Sequence, residues 1–191
     1  MERAALPVTG VVLAGGAGRR MGGVDKGLVI WRGRPLVSYA LSALQGLPEI
    51  LISANRSREA YESFGYRVIA DAQPGFHGPL LGLQAAFAQA RQAWVLTIPV
   101  DSPRLAADLV ERLWAVCDQQ TPVVVGRSAR GPEPVICLCH RSAAATLDQY
   151  LAAGGRAAHG WFRALPHAWL ALADEEVANY NAPDDLENLP E

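Results

Sequence analysis

The sequence predicts an α/β fold, organised as a single domain over residues 1–191, with a mostly parallel sheet and helices on both faces. The length of 191 residues suits one such domain with a substantial buried core. Hydrophobic residues make up 50% of the chain. Short apolar runs alternate with segments of helical spacing, and this alternation is typical of a parallel sheet covered by helices.

The individual elements follow from the same patterns. Apolar runs predict strands at Val8–Ala14, Ile50–Ala54, Arg67–Ala70, Trp94–Ile98, Pro122–Val125 and Val135–Cys139. Helical spacing predicts helices at Pro35–Gln45, Arg58–Phe64, Leu80–Arg91, Leu105–Asp118 and Ser142–Ala153. A small turn is expected over residues 31–35, and a late edge strand within residues 163–172.

A glycine-rich, basic loop follows the first predicted strand. Its candidate phosphate-binding residues are Gly15, Gly16, Gly18, Arg19, Arg20 and Lys26. Glycines let the backbone turn and direct its N–H groups at a ligand, and charge-assisted hydrogen bonds from the basic groups suit a polyphosphate. The loop is not a P-loop, and a dinucleotide fingerprint would place Met21 where its third glycine belongs. The alternative is a purely structural turn, which needs neither the basic residues nor so many glycines.

Composition excludes several other classes of protein. The chain has 17 basic and 19 acidic residues and a formal charge of −2, so no global field would hold it on nucleic acid or an anionic membrane. An anion site must therefore be local. The cysteines, with Cys137 and Cys139 expected on one strand face, indicate buried free thiols in a reducing compartment. No segment approaches the length needed to cross a bilayer, so we expect a cytoplasmic protein.

Polar features follow three of the predicted strands. Gly15, Asp71 and Asp101 each come directly after a strand or after a short break from it. Because the carboxyl ends of parallel strands form the ligand-binding edge of an open α/β sheet, these residues should share one site. Asp101 in IPVDSP could hold Mg²⁺, which prefers one or two carboxylates together with substrate phosphates. Alternatively, Asp101 caps the following helix.

Two later segments add candidate ligand contacts. GFHGPLLGL places Gly78, Pro79 and Gly82 around a helix start, where backbone N–H groups are available to a ligand. Gly82 could instead only let that helix pack closely on the sheet. NYNAPDDL places Asn179 and Asn181 before a C-terminal helix, and either asparagine could serve as its cap.

The motifs LAGGAGRRMGGVDKGL, GPLLGL, IPVDSP and NYNAPDDL, in this order and at these separations, resemble the MobA family of molybdenum cofactor guanylyltransferases. The likeness spans nearly the whole chain. It implies a Rossmann-like nucleotidyltransferase fold. It also implies GTP and molybdopterin, or its molybdenum-bound form, as substrates, and Mg²⁺ as the metal. It also implies proteins that deliver the pterin and accept the product, and a division into an N-terminal GTP-binding part and a C-terminal pterin-binding part.

Site residues are assigned by position in these motifs. The resemblance places Leu13, Ala14, Gly15 and Lys26 around GTP, Asp71 on the nucleotide, and Asp101 on nucleotide and Mg²⁺, whereas Arg20, Arg156 and Asn181 match positions linked to activity or pterin binding. We expect Lys26, Asp101 and Arg20 to be catalytic.

The chain departs from the family pattern at two positions. Ser53 stands where family members often have asparagine, so either Ser53 or Asn55 would make the corresponding nucleotide contact. Val100 replaces a cysteine before the metal aspartate, so cysteine chemistry is unnecessary.

Other activities remain as alternatives at this point. They are a cytidylyltransferase, a sugar-phosphate nucleotidyltransferase and a non-catalytic nucleotide-binding adaptor. Related cytidylyltransferases tend to carry LAAG where this chain has LAGG, and the smaller residue would make room for a purine. An adaptor should lack the lysine or the metal aspartate, and both are present.

Overall fold

The computed structural model describes residues 6–14, 24–70, 78–118 and 120–179. Its strands are β1 (Val8–Leu13), β2 (Ile30–Trp31), β3 (Arg34–Pro35), β4 (Glu49–Ser53), β5 (Arg67–Ile69), β6 (Trp94–Pro99), β7 (Val123–Ser128), β8 (Gly131–His140) and β9 (His167–Ala171). Its α-helices are α1 (Leu36–Ala43), α2 (Arg58–Glu62), α3 (Pro79–Gln89), α4 (Leu109–Val116), α5 (Ala144–Ala152) and α6 (Ala158–Phe162). Every predicted strand and helix within these residues is present. The small turn is the β2–β3 hairpin, and the late edge strand is β9.

One seven-stranded sheet, in the order β5-β4-β1-β6-β8-β7-β9, organises the described residues. Strands β5, β4, β1 and β6 run parallel to one another, and β7 pairs in parallel with β9. Only β8 among these strands runs antiparallel to its neighbours. The carboxyl ends of β5, β4, β1 and β6 therefore lie side by side at one edge, which confirms the mostly parallel sheet.

Helices cover both faces of the sheet, as the sequence predicts. Side chains alternate along each strand, so that Val12, Ile52 and Leu96 pack under α1, α2 and α4, whereas Val11, Leu51 and Val95 pack under α3, α5 and α6. All six strand side chains are at most 1% exposed. Burial on both faces explains why these strands read as continuous apolar runs. Within the described residues, no helix combines the length and apolar character needed to span a membrane.

The starts of α4 and β8 differ most from the expected ones. The helix expected from Leu105 begins at Leu109, because turn hydrogen bonds such as Leu109 N–H to the Ala106 carbonyl occupy the preceding residues. Strand β8 begins at Gly131, well before its apolar run, and its first residues pair only with β7. Prolines are tolerated in such a singly paired stretch, which hides the strand from the sequence pattern. The short helix α6 was not predicted.

Candidate active site

The ends of the parallel strands form the floor of the site. Leu13, the last residue of β1, lies in register with Ser53 of β4 and Pro99 of β6. The pairing continues one residue further on each side, since the Ala14 N–H donates to the Ser53 carbonyl (2.8 Å) and the Val100 N–H donates to the Leu13 carbonyl (3.3 Å). The chain segments that leave β1 and β6 therefore start from fixed, adjacent positions.

Lys26 and Asp101 meet above this floor. Lys26 Nζ lies 3.1 Å from Asp101 Oδ2, although 75 positions separate the two residues in the sequence. Their side chains are 22% and 19% exposed, so both remain accessible to a ligand from solvent. The helix-cap alternative for Asp101 is wrong, because α4 begins eight residues later, after Asp108. The glycine-loop lysine and the strand-end aspartate thus form one charged pair at the edge of the sheet.

Lysine is otherwise unused in this chain. The 17 basic residues comprise arginines and this one lysine, Lys26. A lysine ammonium is compact and rotates freely, whereas an arginine guanidinium is a planar fork, so the two are not interchangeable in a crowded polar site. The residue choice at position 26 therefore distinguishes it from every other cationic position of the chain.

The partly exposed carboxylate of Asp101 is a hard oxygen ligand of the kind that Mg²⁺ selects, and it already attracts a cation, the Lys26 ammonium. Residues 6–14, 24–70, 78–118 and 120–179 contain no group of three or more His, Cys, Asp or Glu side chains suited to a metal. A metal held by Asp101 would therefore draw its further ligands from outside these residues, for example from a substrate or from water. A single carboxylate beside the loop that is predicted to bind phosphate fits that requirement.

The segment that carries Lys26 is held from beneath by an aspartate. The Tyr61 hydroxyl of α2 donates to Asp25 Oδ1 (2.5 Å), and Arg56 Nε lies 3.4 Å from Asp25 Oδ2. Arg56 also donates from Nη2 to the Val24 carbonyl (2.9 Å). Burial, reinforced by the hydrogen bond to Asp25, raises the pKa of Tyr61 far above its ordinary value, so the phenol stays protonated as the donor. Lys26 then begins a short 3-10 helix that ends at Leu28.

Gly27 allows this segment to pack closely against the strand that leads to Asp101. A Cβ atom at Gly27 would fall 2.3 Å from the Tyr61 hydroxyl and 2.9 Å from a Val100 methyl group. No side chain larger than hydrogen fits there without displacing the tyrosine or the strand. The close approach keeps Lys26 beside Asp101, which follows Val100.

At the start of α3, the predicted site residue Gly78 lies close to another predicted site residue, Arg156. Gly78 precedes the helix with φ +95°, a left-handed conformation that favours glycine, and Pro79 is the first helical residue. A Cβ atom at Gly78 would lie 3.9 Å from the Arg156 carbonyl, so the two residues are neighbours. The Arg156 guanidinium donates to the carbonyls of Leu151 (2.9 Å) and Gly155 (2.7 Å) at the end of α5.

Gly82 lies buried within α3, as the packing alternative for this glycine requires.

Asn179 is tied to the loop that carries Asp101. The Ser102 hydroxyl, which belongs to a residue only 1% exposed, donates to Asn179 Oδ1 (2.9 Å). This contact joins the C-terminal NYN motif to the strand-end aspartate across 77 positions. The preceding residues are anchored as well, because Arg112 of α4 donates to Glu176 Oε1 (2.7 Å).

The Arg112–Glu176 pair predicts a pH-dependent contribution to stability. Burial disfavours the charged carboxylate, but hydrogen bonds from Arg112 and from the Ala173 N–H outweigh it and lower the pKa of Glu176. A carboxyl group whose pKa is lower in the folded state than in the unfolded state stabilises the fold at pH values above the unfolded-state pKa. This stabilisation is lost as the pH falls through the folded-state pKa. We expect Glu176→Gln to lower the free energy of unfolding by about 1 kcal/mol at neutral pH, and by much less near pH 3. Urea unfolding at both pH values measures the difference.

Glu62→Gln is the matched control for this measurement. Glu62 pairs with Arg58 at the same 2.7 Å, but the two side chains are 46% and 60% exposed. Such an exposed pair contributes about 0.5 kcal/mol or less. Equal losses for Glu176→Gln at the two pH values would contradict the assigned role of the ion pair.

Ser53 and Asn55 differ in accessibility. Ser53 is 3% exposed at the end of β4, whereas Asn55 is half-buried two residues later. Which of them contacts a nucleotide stays a prediction.

Some predicted site residues lie outside the described residues: Gly15, Gly16, Gly18, Arg19, Arg20, Asp71 and Asn181. Strand β1 ends at Leu13 and strand β5 ends at Ile69, so one residue separates each strand from Gly15 and Asp71 respectively. Their assignment stays a prediction.

Comparison with known proteins decides the family. The family model described as "MobA-like NTP transferase domain" matches residues 10–168. A relative from Ralstonia nicotianae, named molybdenum cofactor guanylyltransferase, is 40% identical, with 96% of each chain covered. The chain belongs to the MobA-like NTP transferase family. The resemblance seen in the sequence is therefore confirmed, and so is the expectation of a nucleotidyltransferase.

Solved structures agree with the fold of the MobA-like NTP transferase family. Molybdopterin-guanine dinucleotide biosynthesis protein A from Archaeoglobus fulgidus is 22% identical and superposes with a TM-score of 0.74, covering 94% of this chain and 95% of that one. A CMP:2-keto-3-deoxy-manno-octonic acid synthetase complexed with CTP is 16% identical and reaches a TM-score of 0.76, covering 94% and 95%. The nucleotidyltransferase fold is thus confirmed.

Sequence reasoning missed the residues that support the site. Asp25, Arg56 and Tyr61 were not among the candidates, although Asp25 stands directly before the lysine of the glycine loop. Ser102, which donates to Asn179, was also absent from the candidate site residues. An acidic residue beside a lysine that is predicted to bind phosphate is an unexpected charge, and this charge was the available sequence signal.

Proposed function

We propose that this protein transfers GMP from GTP to the terminal phosphate of molybdopterin or Mo-molybdopterin, giving the guanine dinucleotide cofactor and pyrophosphate. The observation that carries the proposal is the Lys26–Asp101 pair at the carboxyl edge of the sheet, beside the end of β1. Membership in the MobA-like family and the name of the 40% identical relative support the choice of substrates.

The proposed reaction is an in-line displacement at the α-phosphorus of GTP. An oxygen of the molybdopterin phosphate forms the new O–P bond, and the bond between the α-phosphorus and the bridging oxygen breaks as pyrophosphate leaves. The attacking oxygen is already anionic, so no strong general base is required. Catalysis then depends on positioning two anions that repel each other and on offsetting the charge of the transition state.

The residues divide this work between them. Lys26 donates from its ammonium to phosphate oxygens and stabilises the charge that develops on pyrophosphate, with Arg20 as its proposed partner. Asp101 would hold the metal, and a bound Mg²⁺ supplies positive charge to the phosphate oxygens. The glycine loop binds the phosphates through backbone N–H groups, and Leu13 and Ala14 lie beside the nucleotide at the end of β1.

The two parts of the chain take different substrates in this proposal. The N-terminal part binds GTP, with Asp71 and either Ser53 or Asn55 as further nucleotide contacts. The C-terminal part binds the pterin through Arg156, Asn179 and Asn181. The closeness of Gly78 to Arg156 supports a pterin site that also borders the start of α3. The enzyme acts in the cytoplasm, where other proteins deliver the pterin and receive the product.

One assay tests the proposal. Purified protein is incubated with Mg²⁺, molybdopterin and each nucleoside triphosphate in turn, and pyrophosphate is measured. We expect release with GTP and little with CTP, UTP or ATP. Release with CTP instead would assign a cytidylyltransferase, and release with a sugar phosphate in place of molybdopterin would assign a sugar nucleotidyltransferase. GTP binding without pyrophosphate release would indicate a non-catalytic protein.

A further inference from the structure

Asp25 carries the wrong charge for its location. It directly precedes Lys26, and its negative charge would repel the phosphates that the lysine is proposed to bind. A buried carboxylate needs a neighbouring cation to neutralise its charge and a donor to hydrogen-bond it. The structure meets both conditions, because Arg56 supplies a cation and the Tyr61 hydroxyl supplies a proton donor.

Both carboxylate oxygens of Asp25 have a partner, one through a hydrogen bond and the other through an ion pair. Oδ1 accepts from the Tyr61 hydroxyl at 2.5 Å, and Oδ2 lies 3.4 Å from Arg56 Nε. The side chain of Asp25 is only 9% exposed, and Tyr61 is fully buried under the sheet. Arg56 additionally binds the Val24 carbonyl, so the backbone is held directly before Asp25 as well. The residue that precedes Lys26 therefore has its side chain and adjoining backbone restrained.

The same restraint reaches the far side of Lys26. Gly27 fits between the Tyr61 hydroxyl and Val100, with no room for a Cβ atom. The phenol hydroxyl thus contacts the segment on both sides of the lysine. With the backbone on both sides restrained, Lys26 moves mainly by rotation of its side chain. That side chain extends towards Asp101, with Nζ 3.1 Å from Asp101 Oδ2.

We propose that Tyr61 and Arg56 are positioning residues for Lys26 and act through the carboxylate of Asp25. This inference rests on the proposed role of Lys26 in phosphate binding. The tyrosine and the arginine do not themselves touch substrate. They hold the lysine where it meets the triphosphate and keep the neighbouring negative charge neutralised.

A double-mutant cycle tests whether Tyr61 acts through Lys26. Tyr61→Phe keeps the buried ring and removes only the hydroxyl. In the otherwise unchanged protein we expect kcat/KM for pyrophosphate release to fall about 10- to 100-fold, since small displacements of a positioned group have effects of this size. In a Lys26→Ala background, the same change should alter kcat/KM by about twofold or less, because nothing remains to be positioned. Asp25→Asn provides the second variant.

The unique lysine supplies a readout that is independent of activity. Protein labelled with ¹³C-lysine gives signals from Lys26 alone, because the chain has no other lysine. We expect the Cε protons to be inequivalent in the unaltered protein, where the ammonium is held, and to converge in Tyr61→Phe and Asp25→Asn. Tyr39→Phe is the matched control: the Tyr39 hydroxyl donates to the Trp31 carbonyl at 2.9 Å, and its loss should leave the Lys26 signal unchanged.

The outcomes separate this inference from the proposed function. An unaltered protein that releases no pyrophosphate with any nucleotide would contradict guanylyl transfer, while the lysine signal would still test the positioning. Equal losses from Tyr61→Phe with and without Lys26, together with an unchanged lysine signal, would overturn the positioning role. If Tyr61→Phe lowers the folded fraction, as thermal unfolding would reveal, Asp25→Asn decides by the same two criteria.

Discussion

Asp101→Asn is expected to lower kcat/KM for pyrophosphate release by about 10²–10³-fold, the loss found on removing one electrostatic stabiliser from an active site. The amide keeps the shape of the side chain but removes the charge that attracts a cation. Because asparagine and aspartate have nearly the same shape, the packing around this partly exposed side chain (19%) is kept. Steady-state kinetics with GTP and molybdopterin over a range of Mg²⁺ concentrations measures the effect, and we expect the Mg²⁺ requirement to rise.

Asp108→Asn is the control for this substitution. Asp108 precedes α4, its side chain is 68% exposed, and its closest basic partner is Arg112 at 3.6 Å. Its carboxylate lies outside the site, so kcat/KM and the Mg²⁺ requirement should stay unchanged. Activity of Asp101→Asn close to that of the control would remove Asp101 from the mechanism.

Lys26→Met is expected to cost a similar factor of about 10²–10³ in turnover, because we propose that the ammonium stabilises the charge that develops on pyrophosphate. Methionine keeps much of the aliphatic length and removes the charge. If Lys26 acts mainly on the leaving group, kcat falls more than the affinity for GTP. Single-turnover kinetics and calorimetric titration of GTP separate the two quantities.

Lys26→Arg sharpens the same experiment. The charge is retained, but the planar guanidinium cannot occupy the space of a compact ammonium beside Asp101 and Gly27. We expect partial recovery of GTP binding and little recovery of kcat. Full activity of Lys26→Arg would show that charge alone suffices at this position, and full activity of Lys26→Met would contradict the proposed role of the lysine.

The fold could be predicted from the sequence because its signals are local. Strands buried on both faces produce unbroken apolar runs, and the location of Asp101 follows from its place after β6 in a parallel sheet. The start of β8 could not be predicted in this way. Its first residues include prolines and polar side chains that a singly paired strand tolerates.

The supporting contacts of the site depend on long-range packing instead. Tyr61 has the apolar surroundings of an ordinary core residue, and only its hydroxyl, which reaches Asp25 across 36 positions, gives it another role. Arg56 follows a strand in a polar segment and resembles a solvated surface charge until its partners are known. Sequence spacing carries no information about such pairs, because a hairpin, a helix and a strand separate their members along the chain.

The Lys26–Asp101 ion pair also has a consequence for selectivity. Each charge already satisfies the other, so a bare anion such as inorganic phosphate must compete with an internal carboxylate for the only ammonium in the edge formed by the described residues. A nucleotide that arrives with a bound metal ion can separate Lys26 from Asp101. The phosphates would then pair with the ammonium, and the metal ion would pair with the carboxylate. We therefore expect the resting pair to favour the metal-complexed triphosphate over simple anions.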